Sequence, residues 1–199
     1  SGTVPSASAG NYTLTIGSLM LGPGTGLASN YTLLGGVHTG TIAPAGAVAN
    51  LAGTRVYDGT ANFTAGQFTP VITTALGQTL TIFSGTGTVS SANVGTYVLA
   101  IGNLTLGDGP VGPNQGLAAN YTLIGGVNTG TITPRPVAFA GTRTYDGTLN
   151  FVAGSSFTPT FTGTVLGQTL TLASGSGTVL SANVAANQAI TGTFTLGNG

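Results

Sequence analysis

Charge is almost absent from this chain. Its 199 residues include three Arg, three Asp and one His, with no Lys and no Glu. A net charge of zero removes the electrostatic case for nucleic acid or an anionic membrane surface as partner. Without Lys, no Lys–Asn or Lys–Asp isopeptide crosslink can form. Without Cys, neither a disulfide nor a thiolate metal site can form. Without Trp, the usual aromatic platform for a sugar ring is missing. No apolar run reaches the roughly 18 residues of a membrane-spanning helix, and helix-forming Glu and Lys are lacking throughout.

What remains is Gly, Thr, Ser, Asn and aliphatic residues. Hydrophobic residues make up 41% of the chain, enough for a core, and the 35 Gly follow no three-residue period, which excludes a collagen helix. Short alternating runs of Thr, Val, Ile, Leu and Tyr cut by Gly predict an all-β chain.

An internal repeat organises the sequence. LASNYTLLGGVHTGTIAP at 27–44 returns as LAANYTLIGGVNTGTITP at 117–134. AGTRVYDGT at 52–60 returns as AGTRTYDGT at 140–148, and LGQTLTIFSGTGTVSSANV at 76–94 as LGQTLTLASGSGTVLSANV at 166–184. The first residues, SGTVPSASAGNYTLTIG, align with 85–102. One unit is therefore about 90 residues. The predicted organisation is a back half of a unit at 1–44, a complete unit at 45–134 and the front two-thirds of a unit at 135–199. Turn signals every 8–12 residues in units of this size predict antiparallel β-sandwiches of immunoglobulin-like type in tandem.

Alternation places Leu80 with Ile82, Tyr121 with Leu123, Tyr31 with Leu33, and Tyr97 with Leu99 and Ile101 on common strand faces. The last copy departs from this pattern. Asn187 and Ala189 replace Tyr97 and Leu99, and the apolar Ile190 falls one step out of register. A bulge or shifted strand is predicted near 185–192.

Four of the six charged residues fall in two matching hexapeptides, Arg55-Val-Tyr57-Asp58-Gly59-Thr and Arg143-Thr-Tyr145-Asp146-Gly147-Thr. Asp-Gly after a β residue is a tight-turn signal, because Gly accepts positive φ and Asp bonds to the amides that follow. The expected structure is a corner in which Tyr57 and Tyr145 bury their rings and Arg pairs with Asp across the turn. His38, the only His, corresponds to Asn128 in the other copy, so no imidazole chemistry is expected of that position. Asp58 and Asp108 are the only acids of the complete unit, too few for a calcium site. No metal or cofactor is expected. The GDGPVGPNQG loop is longer than its counterpart GPGTG, which makes Asp108, Pro110, Asn114 and Gln115 a candidate contact loop. Asn-x-Thr triplets at Asn11, Asn30, Asn62, Asn103 and Asn120 are potential glycan acceptors in a secreted protein.

The phrases RVYDGT, SGTGTVSSANVG, ANYTL and TGTITP, in this order and spacing, resemble the YDG-domain repeats of large bacterial filamentous-haemagglutinin-like exoproteins and adhesins, which are related to mostly-β glycine-rich repeats. The resemblance covers essentially the whole chain, although Arg stands before the YDG where Lys is usual. It implies secretion to the cell surface, an Ig-like repeat array and no enzyme activity. The expected role is a shaft or spacer of an adhesin or extracellular fibre. The expected partners are neighbouring repeats or copies of the chain itself. The incomplete first and last units complement each other and suggest end-to-end strand complementation. The alternative is a glycan- or receptor-binding adhesin module.

Overall fold

The computed structural model describes residues 1–22, 24–68, 72–155, 157–165 and 167–199. It is an all-β chain. The described strands are β1 (Gly10–Thr13), β2 (Thr39–Ile42), β3 (Ala45–Ala49), β4 (Ala52–Val56), β5 (Asn62–Thr64), β6 (Ile72–Thr73), β7 (Thr79–Ser84), β8 (Thr86–Val89) and β9 (Gly95–Ala100). They continue as β10 (Thr105–Asp108), β11 (Tyr121–Gly125), β12 (Thr129–Thr133), β13 (Ala138–Thr142), β14 (Asn150–Val152), β15 (Thr158–Thr162), β16 (Leu170–Thr178) and β17 (Thr191–Asn198). Single 3-10 turns lie at Ala28–Asn30, Ala65–Gln67 and Ala118–Asn120. The chain divides into two compact units, residues 1–55 with 61–132 and residues 56–60 with 133–199.

In the first unit a five-stranded sheet runs β4-β12-β9-β8-β5, beside a three-stranded sheet β10-β7-β6 and a parallel pair β11-β3. The Val, Ile, Leu and Phe of alternate positions meet between them. Leu51, Phe63, Leu80 and Ile132 are fully buried, with Leu99, Leu104 and Tyr121 around them. Along β9 the alternation is as the sequence predicts: Leu99 is buried while Val98 faces solvent.

The chain passes from β7 in one sheet to β8 in the other at Gly85. That residue has φ +95°, and a Cβ there would stand 2.2 Å from the Asn103 carbonyl oxygen. Only Gly fits such a crossing. The Asn103 side chain secures it by accepting from the Thr86 amide at 2.7 Å and the Thr86 hydroxyl at 3.0 Å.

The repeat is visible in strand register. β1–β2 pairs Gly10 with Ile42 and Thr13 with Thr39; β9–β12 pairs Gly95 with Ile132 and Val98 with Thr129, the same positions one copy later. β7–β10 pairs Leu80 with Asp108, and β16–β17 pairs Leu170 with Asn198, with a bulge at the same place in both ladders. Equal sequence does not give equal structure everywhere, however. ANYTL at 119–123 runs into β11, which lies in parallel against β3. Its twin at 29–33 forms no strand, and Tyr31 is 67% exposed. The expected common face of Tyr31 and Leu33 is therefore absent. Among the described residues no strand pairs with that segment, and an extended segment without a partner has no ladder to hold it.

The second unit has two sheets, β14-β16-β17 and β13-β15. Phe139, Phe151, Phe157, Phe161 and Phe194 form its aromatic cluster, with neighbouring ring centroids 5.0–6.5 Å apart. The segment 185–190, the counterpart of β9, is not a strand. Asn187 sits at φ +60°, which interrupts an extended run. The Gln188 side chain turns back to the 181–183 turn, accepting from the Ser181 amide and donating to the Asn183 carbonyl. β17 pairs Thr178 with Thr191, one position later than the Thr88–Ala100 pair of β8–β9 would prescribe. The predicted irregularity near 185–192 is thus a lost strand followed by a one-residue shift.

Candidate functional site

The two charged hexapeptides form corners. Gly59 and Gly147 adopt φ +82° and +77°. The Thr60 amide and hydroxyl both donate to Asp58 Oδ1 at 2.8 Å; Thr148 does the same to Asp146 Oδ1 at 2.9 and 2.8 Å. Each corner Arg lies buried above a Phe ring: the guanidinium carbon of Arg55 is 5.0 Å from the Phe63 centroid, and that of Arg143 is 4.8 Å from Phe151. Arg143 forms an ion pair with Asp146 and donates to the Thr148 carbonyl. The Arg143 hydrogen bond, followed by the two Thr148 donors, lowers the Asp146 pKa from 3.8 to about 2.

The two tyrosines do not follow the expected burial. Tyr145 is 62% exposed, and Tyr57 is only partly covered. Within the second unit, the Tyr57 amide donates to the Thr133 carbonyl at 2.9 Å, and its hydroxyl accepts from Gln168 Nε2 at 2.5 Å. Gln168 belongs to the LGQTL phrase of the following copy.

In the GDGPVGPNQG loop, Asp108 Oδ1 accepts from the Ala118 amide at 2.7 Å, and the Asn114 carbonyl accepts from the Thr79 amide at 2.7 Å. Gln115 bridges to Thr79, while Pro110 is exposed. The loop is thus laced along β7 at both ends. Of the Asn-x-Thr positions, Asn103 holds the β7–β8 crossing, and Asn120 Oδ1 accepts from the Ala9 amide at 2.8 Å.

A feature that the sequence reading missed is a cavity of about 840 Å³ in the second unit. It is walled on one side by residues 137–143 and on the other by 185–190, with Phe151 and Val179 at its floor. Its signal lay in the repeat alignment, because the counterparts of these two walls in the first unit are β4 and β9.

The profile of the YDG domain matches residues 39–132 and again residues 128–199. The chain belongs to the YDG domain family. The two matches overlap at the TGTIT strand, so each YDG domain begins or ends on it. No curated protein and no solved structure matches the chain. In YDG terms, the corner named by the family's residues is a packing device: its Arg caps a Phe, its Asp closes a turn, and its Tyr reaches a neighbouring phrase.

Proposed function

We propose that this chain is a non-enzymatic structural repeat of a secreted bacterial surface adhesin or extracellular fibre, with Ig-like β-sandwich units acting as shaft or spacer. The observation that carries this reading is the use made of the repeated polar residues. Arg55, Arg143, Asp58, Asp146, Asn103 and Asn128 all engage neighbours in their own fold. Repetition of such residues multiplies a building unit, and arrays of this kind draw stability from each unit and from neighbour contacts. Three Arg and no Lys also leave few points of attack for trypsin-like proteases, which suits exposure outside a cell.

Single-molecule pulling on a tandem of these repeats tests the mechanical part. Cooperative unfolding of ~90-residue units releases about 300 Å of chain per event. A featureless extension would remove the spacer role. Antibody labelling of intact cells tests the location; a signal seen only after permeabilisation would remove the surface assignment.

A further inference from the structure

We infer that the Tyr57-Asp58-Gly59 corner is a clasp by which one repeat copy takes hold of the next, with Val165 and Gln168 of the following copy as its seat. This deepens the repeat-array reading, on which it rests, by assigning a contact that passes from copy to copy.

Sequence and contact assign this corner differently. By sequence it belongs to the copy at 45–134, where it joins β4 to β5. By contact, residues 56–60 belong to the compact unit of residues 133–199, while the chain on either side, up to Arg55 and from Ala61, belongs to the first unit. The first copy thus lends five residues to the second unit. There, the Tyr57 amide donates to the Thr133 carbonyl at 2.9 Å, and Gln168 Nε2 donates to the Tyr57 hydroxyl at 2.5 Å. Gly59 lies close against Val165: a Cβ at that residue, whose φ is +82°, would stand 3.0 Å from Val165 Cγ1.

Both sides are shaped before they meet. On the clasp, Asp58 Oδ1 accepts from the Thr60 amide and hydroxyl at 2.8 Å, which fixes the turn, so docking orders little that is not already ordered. On the seat, the Gln168 amide donates to the Val165 carbonyl at 3.0 Å and sets both residues on one turn. Arg135 Nε donates to the Gly163 carbonyl at 2.5 Å just before it. A carboxamide suits the seat because it carries a donor and an acceptor on one side chain. Gln78, the counterpart of Gln168, uses its Oε1 to accept from the Tyr121 hydroxyl of its own copy at 2.6 Å. Gln168 presents its Nε2 to the tyrosine of the preceding copy. Part of the second unit's stability is therefore written in the first copy's sequence, and the coupling of clasp and seat acts equally in both directions.

The test is a double-mutant cycle on the full chain, read by hydrogen exchange with mass spectrometry. Tyr57→Phe removes one hydroxyl and keeps the ring, so the variant folds. It is expected to speed exchange in residues 167–172 by about fivefold, although the substitution lies in the other copy, and to leave β8 and β9 unchanged. Gln168→Ala is expected to speed the same residues by a similar factor. The double variant is expected to exchange about fivefold faster than the native chain rather than about twenty-five-fold, because each substitution already removes the shared hydrogen bond. No change in 167–172 with Tyr57→Phe, a change confined to β4 and β5, or multiplied effects in the double variant overturns the clasp. Single-molecule pulling reads the spacer role separately, since one lost hydroxyl leaves the length of chain released per unit unchanged.

Discussion

Phe63 and Phe151 occupy the same position of the repeat, yet truncating them should have very different consequences. Phe63 is fully buried, 6.3 Å from the Phe68 ring, beneath the Arg55 guanidinium and closed in by Gly53 and Gly130. Removing a ring so enclosed leaves a void that the strands around it cannot fill, and costs about 3–5 kcal/mol, including a cation–π contact of order 1 kcal/mol. Phe151 is only half-buried and already faces the 840 Å³ cavity, so part of its surface has no protein neighbour to lose. Its contacts with Phe157, 5.2 Å away edge to face, and with Arg143 remain, and their loss costs about 1–2 kcal/mol. Hydrogen exchange by mass spectrometry reads the two units separately. At about 1.4 kcal/mol per tenfold, Phe63→Ala should lower protection of the most protected amides in β8, β9 and β12 by a factor of several hundred or more. Phe151→Ala should lower that of β14 and β16 by about tenfold. Equal losses in the two units, or a loss below tenfold for Phe63→Ala, would refute the claim that the second unit packs less tightly around this position.

The Asp146 pKa of about 2 lies below its ordinary 3.8, so its stabilising effect is complete above pH 4 and is lost as pH falls toward 2; Asp146→Asn should remove that part of the acid unfolding curve of the second unit. Arg143→Lys keeps the charge but cannot stack flat on Phe151 while also bonding Asp146 and the Thr148 carbonyl, so a loss of about 1 kcal/mol in urea unfolding is expected, against near-neutrality if the Arg served only as a surface charge. Gly85→Ala forces a methyl into a positive-φ residue 2.2 Å from the Asn103 carbonyl oxygen and should cost more than about 2 kcal/mol of first-unit stability; a wild-type melting temperature would show that the crossing is not as tight as described.

Much of this architecture was legible because the repeat makes the sequence its own comparison. The corners at Asp58-Gly59 and Asp146-Gly147 are local: Asp bonds two residues ahead and Gly takes the positive φ, so six residues determine the outcome. The alternation in β9 was legible for the same reason, since one face of a strand is written in every second residue. The failures are non-local. NYTL reads identically at 30–33 and 120–123, but only the second meets a β3 to lie against. Tyr57 and Tyr145 stand in matching phrases, but only Tyr57 has Gln168 within reach. No pattern within a segment encodes whether its partner is present.

The same distinction explains the cavity. Its two walls were each readable as strands by analogy with β4 and β9, and the loss of Tyr and Leu at Asn187 and Ala189 marked one of them as weak. What the alignment did not show is how far that weakness goes. β9 in the first unit is held on one side by β12 and on the other by β8. Its counterpart at 185–190 forms no ladder among the described residues: Asn187 stands at φ +60° and Gln188 turns to the 181–183 loop.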